Sequence, residues 1–152
     1  MKILFICLGN ICRSPIAEGV LTHLAGTHDL GHWQVASAST NTYHTGEAPH
    51  PMSQKICLDA GIDISRQRAR RITPADMEDF DVIFVMAADV MNEVKRLTGT
   101  AFDSSKVRYF METLSPGGPK DVPDPWYGGW EDFVGVYDTI YRGCEKIIRL
   151  YK

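Results

Sequence analysis

The chain lacks long hydrophobic runs, is poor in cysteine and carries no excess of positive charge, and each shortage removes a class of function. Its apolar opening, Met1 to Leu8, is far shorter than the ~20 residues that span a bilayer. It also lacks the long apolar core and small-residue cleavage site of a secretory leader, so a cytoplasmic protein with no membrane contact is expected. Four cysteines in 152 residues, with no Cys-x2-Cys pair, give neither a disulfide framework nor a zinc knuckle. A net charge of −3 leaves no field to attract nucleic acid. The local exception, Arg66, Arg68, Arg70 and Arg71 in SRQRARRI, reads as a solvated face. His28 and His32 are four residues apart, but the Asp-Leu-Gly between them reads as loop, and no metal or cofactor is expected. Repeats and low-complexity linkers are absent as well.

What is present fits one domain over residues 1–152, with 44% hydrophobic residues to fill its core. Short apolar runs at 3–7, 33–38, 82–86 and 107–111 read as strands. Helical patterns fall between them at 15–24, 51–60 and 90–98, and a final amphipathic segment runs from 130 to 151 with Phe133, Val136, Tyr137, Ile140 and Ile147 on one face. This alternation predicts an α/β domain: a central four-stranded parallel twisted sheet in a three-layer αβα arrangement, with ligands bound beyond the carboxyl ends of the strands.

At the first such end stands CLGNICRS, residues 7 to 14. A strand, a tight turn and a helix start leave amides without intrahelical acceptors at the positive end of a helix dipole, which suits a phosphate dianion. Gly9 and Asn10 are the residue types that take positive φ most easily and can turn successive N–H groups inward. Arg13 adds a planar charged fork for two phosphate oxygens, and Cys7 lies at the loop's base. The same positive surroundings favour thiolate over thiol. Full ionisation of a thiol gains only about 30-fold at neutral pH, whereas monoester hydrolysis calls for accelerations approaching ~10²¹. Amides and arginine must therefore do most of the work. By itself a Cys-x5-Arg spacing arises by chance about one time in four in such a chain. A purely structural turn, with Ser14 as cap and Cys7 as filler, would explain neither Arg13 nor the Gly-Asn pair.

A second segment, SPGGPKDVPDPWYGG from Ser115 to Gly129, holds four prolines and four glycines and predicts a long functional loop. Expelling a tyrosyl oxygen needs a proton, and a carboxylic acid over the cradle would supply it. Asp124 is confined between Pro123 and Pro125; Asp121 is nearby and less constrained.

CLGNICRSP near the amino end, with DPWY in a late loop, resembles the low-molecular-weight protein tyrosine phosphatases, and the match spans essentially the whole chain. The resemblance implies a flavodoxin-like topology and catalysis without cofactor or metal. It implies Cys7 as the nucleophile that becomes phosphocysteine, Arg13 as phosphate clamp and Asp124 as acid and then base. It places Leu8, Gly9, Asn10, Ile11, Cys12 and Ser14 around the phosphate, with Ser14 bonded to the thiolate and Asn10 and Ser37 supporting the loop. Tyr43, Trp126 and Tyr127 would line an aromatic cleft deep enough to favour phosphotyrosine, with His44 a further candidate. Expected partners are tyrosine-phosphorylated proteins and inorganic phosphate or other oxyanions, and the chain is expected to be a monomer or weak homodimer. Cys12 would either pack the helix or pair reversibly with Cys7 under peroxide.

Two positions depart from the family's frequent pattern, Gln67 for histidine and Ala87 for aspartate, and are expected to be two sides of one lost polar contact. Three rival readings share the scaffold or the loop. A protein arginine phosphatase would prefer threonine to Ile11, an arsenate reductase needs relay cysteines, and a phosphoprotein-binding module could dispense with Cys7 or Asp124.

Overall fold

Ile3, Leu4, Phe5 and Ile6 are all fully buried, a continuous apolar strand of the kind that sits at the centre of a parallel sheet. In the computed structural model, which describes residues 1–152, this strand is β1 (Lys2–Cys7). It pairs in parallel with β2 (Gln34–Ser39) on one side and β3 (Val82–Val85) on the other, and β3 carries β4 (Val107–Tyr109) beyond it. The order β2-β1-β3-β4 makes β1 the place where the winding reverses, so the crevice for a ligand opens at the carboxyl end of β1.

Alternate side chains of β1 feed two cores. Ile3 and Phe5 pack beneath α1 (Arg13–Thr27) and α5 (Trp130–Tyr151), with Cys57 of α2 (Pro51–Asp59) in the same cluster. Leu4 and Ile6 face the opposite layer, α4 (Ala88–Thr98) and the short α3 (Asp76–Asp79). The predicted α/β arrangement is therefore present, with small changes at the ends of elements. β4 stops at Tyr109 because Phe110–Thr113 winds into a 3-10 helix. That turn drives Phe110 into the core beside Phe5 and Phe84, with ring centroids 6.1 and 6.3 Å apart. Gly143 of α5 leaves the space Phe110 occupies; a Cβ there would collide with its ring. The α3 turn had no hydrophobic period to announce it.

The arginine run is not a simple solvated face. Ser39 bridges in parallel to Arg71, and Arg70 donates two hydrogen bonds, 3.0 and 3.1 Å, to the buried carboxylate of Asp76. Arg71 Nε reaches the Thr40 carbonyl at 3.1 Å. Residues 69–72 thus lie along the end of β2 and are fastened to it, while Arg66 and Arg68 remain exposed.

Candidate active site

β1 ends at Cys7 and the chain turns directly into α1 at Arg13. Asn10 makes the turn by adopting the left-handed conformation, φ +58°. Gly9 has no positive φ, contrary to the sequence expectation; its contribution is room, because a Cβ there would lie 3.1 Å from His44 Cδ2. The backbone N–H groups of residues 8 to 13 donate to no acceptor within the protein. Such a run of unsatisfied donors at a helix start is an anion-binding nest.

Behind the loop, side chains assign every proton. Asn10 Nδ2 donates to Ser14 Oγ at 2.8 Å and to Ser37 Oγ at 2.9 Å. Its Oδ1 accepts the Arg70 N–H at 3.1 Å, which fixes the orientation of the amide. Since Ser14 Oγ is already an acceptor, its single hydrogen is left for Cys7 Sγ, 3.0 Å away. The Ser14 N–H also points at that sulfur, at 3.5 Å. Ser14 therefore serves the sulfur and does not cap α1. Ser37 in turn donates to Glu18 Oε1 at 2.8 Å. Burial pushes the Glu18 carboxyl above its ordinary range, against the opposing pull of that hydrogen bond and of Arg70. Sequence reasoning missed Glu18, although it stands one turn after Ser14 on α1.

Arg13 is buried and held on two edges. Nη1 donates to the Val122 carbonyl at 2.9 Å, Nη2 lies 3.5 Å from Asp124 Oδ2, and Nε has no partner in the protein. Val122 also donates to the Met86 carbonyl at 2.8 Å, so this buried residue docks the late loop on both β3 and Arg13. Val122 too was missed; its lone aliphatic side chain among prolines and glycines was the available signal. The two aspartates part company here. Asp121 accepts the Ala88 N–H at 2.8 Å and is committed to the start of α4, whereas Asp124 turns to Arg13 and the cleft.

The cleft encloses about 230 Å³. Cys7, Arg13 and Asp124 meet in it, together with Leu8, Gly9, Ile11, Cys12, Tyr43, Trp126 and Tyr127, and with Asn41 and His44. Asn10, Ser14 and Ser37 stand behind the loop. The two tyrosines form a rim more than a wall, Tyr43 being 83% and Tyr127 96% exposed. Cys12 packs with Ile11, Ala69 and Phe133. Burial, with the charges of Cys7 and Asp124 adding to it, pushes the Cys12 thiol up to about 12, so Cys12 rests protonated.

Gln67 and Ala87 do not face each other as expected. Gln67 donates to the Pro15 carbonyl of α1 at 3.1 Å, while Ala87 belongs to the core on the α4 side of the sheet. No three metal-ligating side chains converge anywhere, and His28 and His32 are exposed beyond the end of α1. No helix is long and apolar enough to cross a membrane.

A thiol beneath unpaired amides, a buried arginine and an overhanging carboxylate can receive a phosphoryl group and protonate what leaves. The model of the low molecular weight phosphotyrosine protein phosphatases matches residues 2–151. The chain belongs to this family. Among its relatives is the low molecular weight protein-tyrosine-phosphatase YfkJ of Bacillus subtilis, 34% identical over 149 residues, covering 97% of this chain and 94% of the relative. The human low molecular weight phosphotyrosine protein phosphatase is 33% identical, with 97% and 93% covered. The YfkJ crystal structure superposes with a TM-score of 0.91, covering 99% of this chain and 93% of that one at 32% identity. The Drosophila arginine phosphatase DARP superposes with a TM-score of 0.92 at 30% identity, covering 100% and 98%. Membership makes the chain a phosphatase of phosphorylated proteins that binds oxyanions.

Proposed function

We propose that the protein hydrolyses phosphotyrosine through a phosphocysteine. The observation that carries the proposal is the set of unpaired donors in the loop that starts at Cys7: the amides of residues 8 to 13 and the free Nε of Arg13. The thiolate of Cys7 attacks phosphorus as the P–O bond to the tyrosyl oxygen breaks, and Asp124 gives that oxygen its proton. Water then attacks the phosphocysteine, Asp124 takes the proton back, and the S–P bond electrons return to sulfur. Loop amides and Arg13 hold the equatorial oxygens throughout, where charge accumulates.

Ile11 favours phosphotyrosine over phosphoarginine. It is buried against the cleft and has no hydroxyl to bind a guanidinium or position water, whereas its γ carbons suit an aryl ring. The likeness to DARP makes phosphoarginine the comparison worth measuring. Phosphotyrosine, phosphoserine and phosphoarginine peptides assayed side by side, without metal, are expected to rank with phosphotyrosine first. Faster turnover of phosphoarginine, or activity that a chelator abolishes, would replace this reading.

A further inference from the structure

Asp124 sits on a loop with few attachments. Beyond Val122 the loop tip makes only local hydrogen bonds, Trp126 N–H to Asp124 Oδ1 at 3.1 Å and Gly128 N–H to the Pro125 carbonyl at 2.9 Å. Apart from Asp124 itself and the buried Pro125, it is the Trp126 side chain that leans on the body of the protein. Two histidines meet that indole. The His44 ring lies 5.2 Å from it, centroid to centroid, and the His50 ring 5.7 Å from it in an edge-on arrangement.

Both histidines are fixed from behind, and both lie against the cysteine loop. His44 Nδ1 pairs with Glu47 at 2.9 Å, and its ring rests over Gly9. The His50 ring lies against the buried Phe133 of α5 at 4.8 Å and accepts the Met52 N–H on Nδ1 at 3.0 Å, while the His50 backbone N–H donates to the Ile11 carbonyl at 2.8 Å. The rings are therefore seated beside the cysteine loop, while the loop's own shape is held by Asn10, Ser14 and Ser37. Trp126 then passes that position to Asp124, because its amide holds one carboxylate oxygen while Arg13 draws the other.

We propose that His44 and His50 are positioning residues that brace Trp126 from two sides and, through it, hold the Asp124 carboxyl over Cys7. The proposal rests on Asp124 being the general acid. The brace works by ring contact, so what matters at position 50 is the aromatic surface and not the Nδ1 cap of α2.

Leaving groups separate acid placement from general damage. Phenyl phosphate needs a proton as its oxygen departs, and 2,4-dinitrophenyl phosphate does not. For His44→Ala and His50→Ala, kcat/KM on phenyl phosphate is expected to fall about tenfold, the cost of a catalytic group displaced from its line of action, with 2,4-dinitrophenyl phosphate changed by less than about twofold. His50→Phe keeps the ring and should restore the phenyl phosphate rate; His50→Asn keeps a cap for Met52 and should not. Equal losses on both esters, or rescue by asparagine and not phenylalanine, would overturn the brace. Asp124→Ala is the control. If it shows no leaving-group selectivity, the acid assignment itself fails. If it does and the histidine variants do not, only the brace fails.

Discussion

The two loops that form the site are held in opposite ways. The loop of residues 7 to 14 is tied internally and from behind by Asn10, Ser14, Ser37 and the Arg70 amide, with all but Leu8 and Gly9 buried. The loop that carries Asp124 is docked by Val122 and, apart from the buried Pro125, then runs exposed through Trp126 and Tyr127 to Gly129. The difference matches the tasks proposed for them. An oxyanion cradle is effective only if its dipoles are already aimed before charge develops. An acid that must approach a bound substrate and later a water gains from a lighter tether. Rigid scaffolds with functional loop tips follow the same division.

That contrast can be broken at the sulfur first. Cys7→Ser is expected to lower turnover of p-nitrophenyl phosphate by more than about 10⁴-fold, while phosphate binding by calorimetry and the melting temperature stay close to the parent's. Residual turnover near the parent level would show that the chemistry lies elsewhere. On the acid loop, Asp124→Ala should cost kcat/KM on phenyl phosphate about 10² to 10³-fold. A loss of less than about twofold would assign the acid to another residue.

A stability pair sharpens the comparison. Asn10→Ala removes three hydrogen bonds inside the buried loop and forces alanine into positive φ. It is expected to cost about 3 kcal/mol in urea unfolding. Asn10→Gly, which tolerates that φ, should recover about 1 kcal/mol of it. Tyr127→Ala on the acid loop should change stability by less than about 0.5 kcal/mol and act only on KM for phosphopeptides. Similar losses at both positions would contradict the division of rigidity.

The smallest effect concerns Glu18. Its carboxyl is raised in the folded protein by burial, so the charged form opposes folding at pH values above its folded-state titration, and the penalty vanishes once the group is protonated in both states. Glu18→Gln keeps an acceptor for Ser37 and should raise stability by up to about 1 kcal/mol at pH 7, and by nothing measurable near pH 3.5. A destabilisation at neutral pH would mean the charge supports the network.

Much of this was legible because it is local. Apolar run length and period are set by burial along a single strand or helix, so Ile3 to Cys7 and the amphipathic face from Trp130 to Tyr151 announce themselves and together prescribe a parallel sheet with helices on both faces. The octet is legible for the same reason: turn residues, a cysteine and an arginine sit within eight positions, and unsatisfied amides at a helix start follow from backbone geometry. Contacts between residues far apart in sequence were decided only on folding. Val122 meets Arg13 across 109 positions and Asp121 reaches Ala88 across 33, and these two bonds separate the aspartate at the start of α4 from the one beside Arg13. Gly9 gives space to His44, and Phe110 ends β4 by filling the gap over Gly143. Chain sequence alone determined the scaffold and the cradle, because both arise from nearest-neighbour periodicity and turns. Tertiary packing decided which carboxylate meets Arg13, which aromatics rim the cleft and which protons support the loop, because each depends on where two separate stretches of chain come to rest against each other.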